Sequence, residues 1–443
     1  MEFPWLNFCN FAKLWFQIIR SIVNQKFPLE CLPESSLIRI YAEHLDKNSE
    51  SPVQYHFSSI LCGISVLLGR RVSYELGYHT LFPNVYVIVV GESGMTRKSS
   101  ATRPILKAVR AINSNLVLST NLSHESLIPS FQNQPTRIMF FDEMKMLFDL
   151  ATKNFGSGII TTITSIHECP SEIRSEFKKD YDSEGKLKAT SIAKFPFLTI
   201  LGLTTQEWLN LSNSEISGGF LGRFLPIISI GEAQKTIPFP KADDEFIKHV
   251  ATKLASINKL NGKFRFHGKT IPMWEQKYTA LMAEVRSHKS DQFSSFGSRL
   301  GDTLIKLCML ISASMPKPEY EITPEVFESA SCLTDYFKDS YLLLLSELSN
   351  NQFAADQNRL IKIMRKNHGR LSRSDLMRET KVRVNYLQEL LNDLLQKGVI
   401  FWHQIQTDTK PRTDYFLTES FTFDPIKKVV LDQNGAEIAL KHA

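Results

Sequence analysis

The chain has 443 residues, with 52 Lys+Arg against 46 Asp+Glu, 43% hydrophobic and 22% charged residues. At ~100–200 residues per domain that is two to four domains with room for a sizeable core, and the balance excludes global disorder. Apolar runs never reach ~18 residues, which argues against a membrane-crossing helix. The six cysteines (9, 31, 62, 169, 308, 332) show no close pair and no metal-type spacing, so the expectation is a reduced, cytoplasmic protein without disulfides or a zinc finger.

Residues 1–32 open with Phe3, Trp5, Leu6, Phe8, Phe11, Leu14, Trp15, Ile18, Ile19 and Ile22, interrupted by Asn7, Asn10, Lys13, Gln17 and Arg20. That spacing predicts a helix with one broad apolar face, for packing on this protein or a protein partner, or for surface contact with a membrane, without stable insertion. Residues 33–80 read as a helical region, with helices over 34–50 and 53–70 introduced by Pro33 and Pro52.

The segment 81–235 alternates strands and helices. Asn84–Val90 is a β-rich run before a Gly-containing turn and a helix over 101–112. Further strands are predicted at 137–141, 197–202 and 224–230. This alternation predicts an α/β fold with a buried parallel sheet. Residues 236–350 become helical (243–257, 272–289, 296–315, 324–349), 352–356 read as a linker, and 357–420 give helix, helix, helix, strand, turn, strand, the layout of a winged helix. A tail, 421–443, follows.

The chemistry concentrates where the first strand of that sheet becomes a helix, at Gly91-Glu-Ser-Gly-Met-Thr-Arg-Lys-Ser-Ser100. A phosphate-binding loop needs small residues that let backbone N–H groups turn inward, a Lys for the phosphates and a hydroxyl for Mg²⁺. Gly91, Gly94, Lys98 and Ser99 supply these, with Arg97 and Ser100 beside them. Arg97 stands where a Gly is usual, and Gly91 lies seven residues before Lys98 instead of six. An ordinary Gly-containing turn is the bland alternative.

The next strand ends in Asp142-Glu143, a pair suited to holding Mg²⁺ and polarising an attacking water; a solvated turn is its alternative. Thr204 and Thr205 follow the strand 197–202, for contact with a γ-phosphate or water, or as caps of a helix at 206–212. Gly218-Gly-Phe-Leu-Gly-Arg223 places an Arg after a Gly-rich loop, where it could reach a neighbouring subunit's nucleotide or simply be a surface residue. Arg299 reads equally as a γ-phosphate sensor or a buried salt-bridge partner.

These motifs, together with Phe82-Pro-Asn-Val-Tyr-Val, Phe-Phe-Asp142-Glu143 and Gly-Gly-Phe-Leu-Gly-Arg223-Phe, resemble a family of P-loop ATPases of mobile genetic elements. That family is still named as a domain of unknown function, and its members often stand beside or are fused to primases. The resemblance covers roughly residues 33–345, and the Arg-Lys-Ser variant with the longer spacing is typical of some members. The order of elements is similar to helicase-type AAA+ ATPases of replication. By that resemblance the fold is an AAA+-like P-loop NTPase, Lys98 and Ser99 bind ATP, Asp142 and Glu143 serve Mg²⁺ and hydrolysis, and Arg223 acts in trans in a homo-oligomeric ring such as a hexamer. No primase-like domain precedes the ATPase region, so a priming activity does not carry over.

Residues 359–403 hold ten Lys/Arg against four acids, an excess of +6 that equals the whole chain's. A basic helix-turn-helix surface suits DNA phosphates. Arg373, Lys381, Arg383 and, in the wing, Lys410 are the candidates, with protein docking as the alternative use. Between the paired acids and the third strand, Asp182-Ser-Glu-Gly185 followed by Lys186 and Lys188 reads as a basic hairpin, either aimed at DNA in a ring's pore or merely solvated. The expected protein is a DNA helicase or translocase of a mobile element, acting in replication. The alternative is a non-motor ATPase switch in a defence or regulatory assembly. A kinase using the same loop is disfavoured by the long helical lid.

Overall fold

The computed structural model describes residues 27–91, 97–120, 124–147, 158–174, 191–205, 219–229, 236–237, 242–288, 290–405, 411–424 and 429–432. Two compact units divide between Glu347 and Leu348.

In the first unit, helix α1 (Val53–Leu68) precedes the central sheet. The sheet's strands are β1 (Tyr86–Gly91), β2 (Val117–Leu118), β3 (Thr136–Phe141), β4 (Phe197–Thr204) and β5 (Phe224–Ser229). All pair in parallel, in the order β2-β3-β4-β1-β5. Every residue of β1 and β4 is buried, as befits central strands covered on both faces, and this is why their sequences run apolar without alternation. Strands occur where the apolar runs predict them.

Helix α2 (Lys98–Ile112) follows β1 and lies close to α1. At Gly63 of α1 an added Cβ would come 2.6 Å from Cγ2 of Ile105, so the small residue sets the approach of the two helices. Polar groups of α1 that face the sheet are satisfied. The Ser65 hydroxyl donates to the Pro83 carbonyl at 2.7 Å, leaving the Thr199 hydroxyl to donate to Ser65 at 2.6 Å.

Several expectations are corrected. The region 33–80 is not wholly helical: Val72–Leu76 and His79–Leu81 form a hairpin around Gly77 (φ +61°), and this joins a second, four-stranded sheet with Gly262–Phe266 and Glu321–Ile322. Such short strands carry too little periodicity to stand out. The helix expected over 296–315 is two, Asp291–Gly297 and α4 (Leu300–Ala313), while α3 (Ile159–His167) lies earlier, between β3 and β4. The linker expected at 352–356 is helical, because one helix, α5, runs from Pro324 to Lys366. Cys31 and Cys332, 301 residues apart, are joined in a disulfide with a Cα–Cα distance of 6.5 Å. Spacing could not reveal this pair, since packing brings the cysteines together: Phe27 lies edge-on to Tyr336 at 5.0 Å. The predicted helix over residues 1–26 lies outside the described residues, and among the described residues no helix is long and apolar enough to cross a membrane.

The second unit takes the end of α5, then α6 (Arg373–Thr380) and α7 (Val384–Gln396), and an antiparallel sheet of β6 (Arg370–Ser372), β7 (Ile400–Ile405) and β8 (Arg412–Leu417) in the order β6-β8-β7. Leu376, Leu387, Leu390, Leu391 and Leu394 recur at helical spacing and close a core with Leu360, Ile400 and Tyr415. Ser372 caps α6 by accepting from the Asp375 amide at 3.1 Å. The expected tail contains a hairpin, β9 (Phe421–Asp424) with β10 (Val429–Asp432).

Candidate functional site

Parallel strands bring their carboxyl ends to one edge, and ligands of open α/β sheets bind outside that edge. Here Gly91 ends β1, Asp142 and Glu143 follow β3, and Thr205 follows β4, which lies between them. Helix α2 begins at the same edge with Lys98 and Ser99 in its first turn. The Ser99 hydroxyl donates to Oδ1 of Asp142, and Lys98 Nζ donates to the Gly91 carbonyl at 2.8 Å. Two residues 43 positions apart thus meet at a helix N-terminus, where backbone dipoles favour an anion.

Arg97 enters the helix in the left-handed region (φ +46°, ψ +39°), the conformation for which Gly is favoured. Its backbone is anchored to the segment before α1. The Ser51 hydroxyl donates to the Arg97 carbonyl at 3.0 Å, and the guanidinium pairs with Glu50 at 2.5 Å. Beyond β3 the chain crosses β4, where the Met144 amide donates to the Leu203 carbonyl at 2.7 Å. Gly202 leaves room for this crossing, because a Cβ there would sit 2.5 Å from Met144 Sδ. Asp142, Glu143 and Ser100 are exposed; Thr204 is buried and Thr205 half-buried, with no hydrogen bond between the Thr205 side chain and the acids. Gly94 lies outside the described residues.

Arg223 and Arg299 are not at this edge. Arg223 immediately precedes β5, whose first residue pairs with Tyr86 at the start of β1, so it sits at the amino edge, about 17 Å of strand away. It does not project freely. Its side chain is 11% exposed, held by Glu168 at 3.1 Å and by the Gly219 carbonyl at 2.5 Å. Arg299 caps α4 and donates to the Ser295 carbonyl and hydroxyl, making no salt bridge among the described residues, so the expected buried ion pair is not formed. Burial lowers its pKa, and Arg223 nearby acts in the same direction.

Between these residues lies a cleft of about 380 Å³ lined by His79, Asn84, His167, Glu168, Asp302 and Lys306, among others. Burial, reinforced by Lys306, drives His167 down to about 3, so it is neutral near pH 7. Its Nδ1 lies 3.5 Å from Glu168, without hydrogen-bond geometry. The Glu168 carboxyl is held at about 2 by its imidazole neighbour and by Arg223, against the effect of burial. Sequence reading missed this cluster. One signal was legible: Lys306 stands alone within Leu304-Ile-Lys-Leu-Cys-Met-Leu-Ile311.

In the second unit Arg373, Lys381 and Arg383 are exposed and form no ion pair among the described residues. Other cations there are committed: Arg365 to Glu419, Arg378 to Asp375, Lys397 to Asp393, and both Arg370 and Arg412 to the buried Asp414. Lys186, Lys188 and Lys410 lie outside the described residues. Among the described residues no cluster of three or more His, Cys, Asp or Glu could by itself hold a metal ion. No protein-family model and no curated protein matches the sequence.

Proposed function

We propose that the chain is an AAA+-like P-loop ATPase that acts on DNA as a helicase or translocase, in the replication of a mobile element. The observation that carries this reading is the contact of Ser99 with Asp142 beside Lys98, at the carboxyl edge of a parallel sheet. A hydroxyl and a carboxylate are hard oxygen donors that suit Mg²⁺, which takes its remaining ligands from phosphates and water and needs no dedicated cluster of protein ligands. Bound Mg²⁺·ATP would supply the phosphoryl group and neutralise charge on its oxygens. Lys98 would hold the β- and γ-phosphates, Ser99 and Asp142 the metal, and Glu143 would orient the attacking water. Thr205, at the intervening strand end, is placed for contact with the same water or phosphate.

Arg223 lies too far from its own chain's Lys98 to serve that nucleotide, which accords with a role on a neighbouring copy in a ring. The uncommitted Arg373, Lys381 and Arg383 support DNA contact by the second unit, read as a winged helix.

Lys98→Ala is expected to abolish ATP turnover, whereas Glu143→Gln should bind ATP and not hydrolyse it, as read by nucleotide binding and phosphate release. Wild-type turnover by the Lys98 variant would end the assignment. Replacing Arg373, Lys381 and Arg383 with Ala should weaken duplex binding and reduce the log–log salt slope by close to one unit per lost phosphate contact. Nucleotide turnover without strand displacement would replace the motor by an ATPase switch.

A further inference from the structure

Helix α4 turns one face to the cleft at the amino edge of the sheet: Arg299, Asp302, Thr303 and Lys306 fall at i, i+3, i+4 and i+7. The acids of this cleft already have cations. Glu168 holds Arg223 at 3.1 Å, and Asp302 faces His79 at 3.9 Å on the rim. Two cations are left over. Arg299 binds only the oxygens of Ser295, and Lys306, 7% exposed, has neither a hydrogen bond nor an ion pair among the described residues. A buried ammonium without a counter-charge is costly, and proteins seldom keep one unless an anion compensates it. The Nε of Arg223 is a further buried donor without a partner among the described residues. The rim is open, since the His79 side chain is half-exposed.

We propose that this cleft is a phosphate-binding site, separate from the loop at Lys98, in which Lys306 at the floor and Arg299 at the mouth hold a single phosphate group. Two uncompensated cations match a group carrying about −1.5 to −2 charge, whereas a carboxylate would leave one of them unneutralised. An ammonium gives a point charge and a guanidinium a fork of donors, a combination suited to oxygens spread in three dimensions. Burial lowers the pKa of Lys306, offset by Cys169, Asp302 and Glu168, and a bound phosphate would restore the ammonium. The phosphate is either free in solution or the end of a nucleotide carried by a second copy. The second source rests on the ATPase reading above; the site itself does not.

The test uses the full chain carrying Lys98→Ala, which disables the other phosphate site, titrated with inorganic phosphate at constant ionic strength and followed by its thermal midpoint. A saturable rise is expected, with affinity at least ~10-fold weaker once Lys306→Met or, separately, Arg299→Gln is added. The Arg299 variant, at a half-exposed position, keeps the test valid should the Lys306 variant fold poorly. No rise in the Lys98→Ala protein, or an equal rise in all three, overturns the proposal. The source is read by mixing Lys98→Ala copies with Lys306→Met copies and measuring ATP turnover. Recovery above either alone assigns the phosphate to a neighbour's nucleotide, whereas full turnover by the Lys306→Met protein on its own assigns it to a free ion.

Discussion

At the carboxyl edge of the central sheet, Asp142 and Glu143 are exposed and form no ion pair among the described residues; at the amino edge, Glu168, Arg223, Arg299 and Lys306 crowd together around a cleft. Both edges gather charge, yet the costs differ. An exposed carboxylate keeps its hydration and adds almost nothing to stability, so it remains available to a metal ion. A charge taken from water must be compensated where it sits, so the amino edge is tied to folding. Function at the first edge and stability at the second should therefore respond to different substitutions.

The largest contrast comes from exchanging one acid at each edge. Asp142→Ala should lower ATP turnover by about 100-fold or more and shift stability by less than about 0.5 kcal/mol. Glu168→Ala strips the nearly buried Arg223 of its partner, and the expected loss is about 1–3 kcal/mol, at the lower end because the carboxylate is half-exposed. Urea unfolding beside phosphate release measures both. Equal stability losses would dissolve the distinction between the edges.

A pH series sharpens the contrast. The folded protein keeps His167 neutral down to about 3, while the unfolded chain protonates it near 6.5. Between those values the unfolded state binds more protons, so stability is fully present above pH 6.5 and falls as pH drops. Between pH 6.5 and 4.5 Glu168 is ionised in both states, so the wild type minus His167→Gln difference isolates the histidine. That difference should approach about 1.4 kcal/mol per pH unit at its steepest. A flat difference would mean that the imidazole is solvated.

The two edges were also unequally legible in the sequence. Lys98, Ser99, Asp142 and Glu143 belong to contiguous motifs at strand ends, where residue type and spacing state the chemistry, and the runs 84–90, 137–141 and 197–202 announce buried strands by composition alone. What joins Arg223 to Glu168, Ser51 to Arg97 or Cys31 to Cys332 is packing between segments 46 to 301 residues apart, and no local pattern encodes such pairings. Helix α5 erased the expected linker for a related reason. Gln352–Asp356 lacks an apolar period, but it also lacks Gly and Pro, so nothing in it stops a helix already under way.

The smallest expected effect concerns Arg97, the one point at the carboxyl edge where conformational cost is stored. A side chain held in the left-handed region costs roughly 1–2 kcal/mol relative to an unstrained backbone. Replacement by Gly removes that cost but raises the entropy of the unfolded chain by about 0.5–1 kcal/mol and loses the pair with Glu50, itself worth about 0–1 kcal/mol at this exposure. The net change for Arg97→Gly should thus lie within about 0.5 kcal/mol of zero. Arg97→Ala loses the same pair and keeps the strain, so the Ala variant should be the less stable of the two by about 1 kcal/mol. Both retain the Ser51 contact, which goes to the backbone carbonyl. Urea unfolding of the two variants reads the difference directly; equal midpoints would show that the chain relaxes out of the left-handed turn, and the strain assigned to the loop would then be withdrawn.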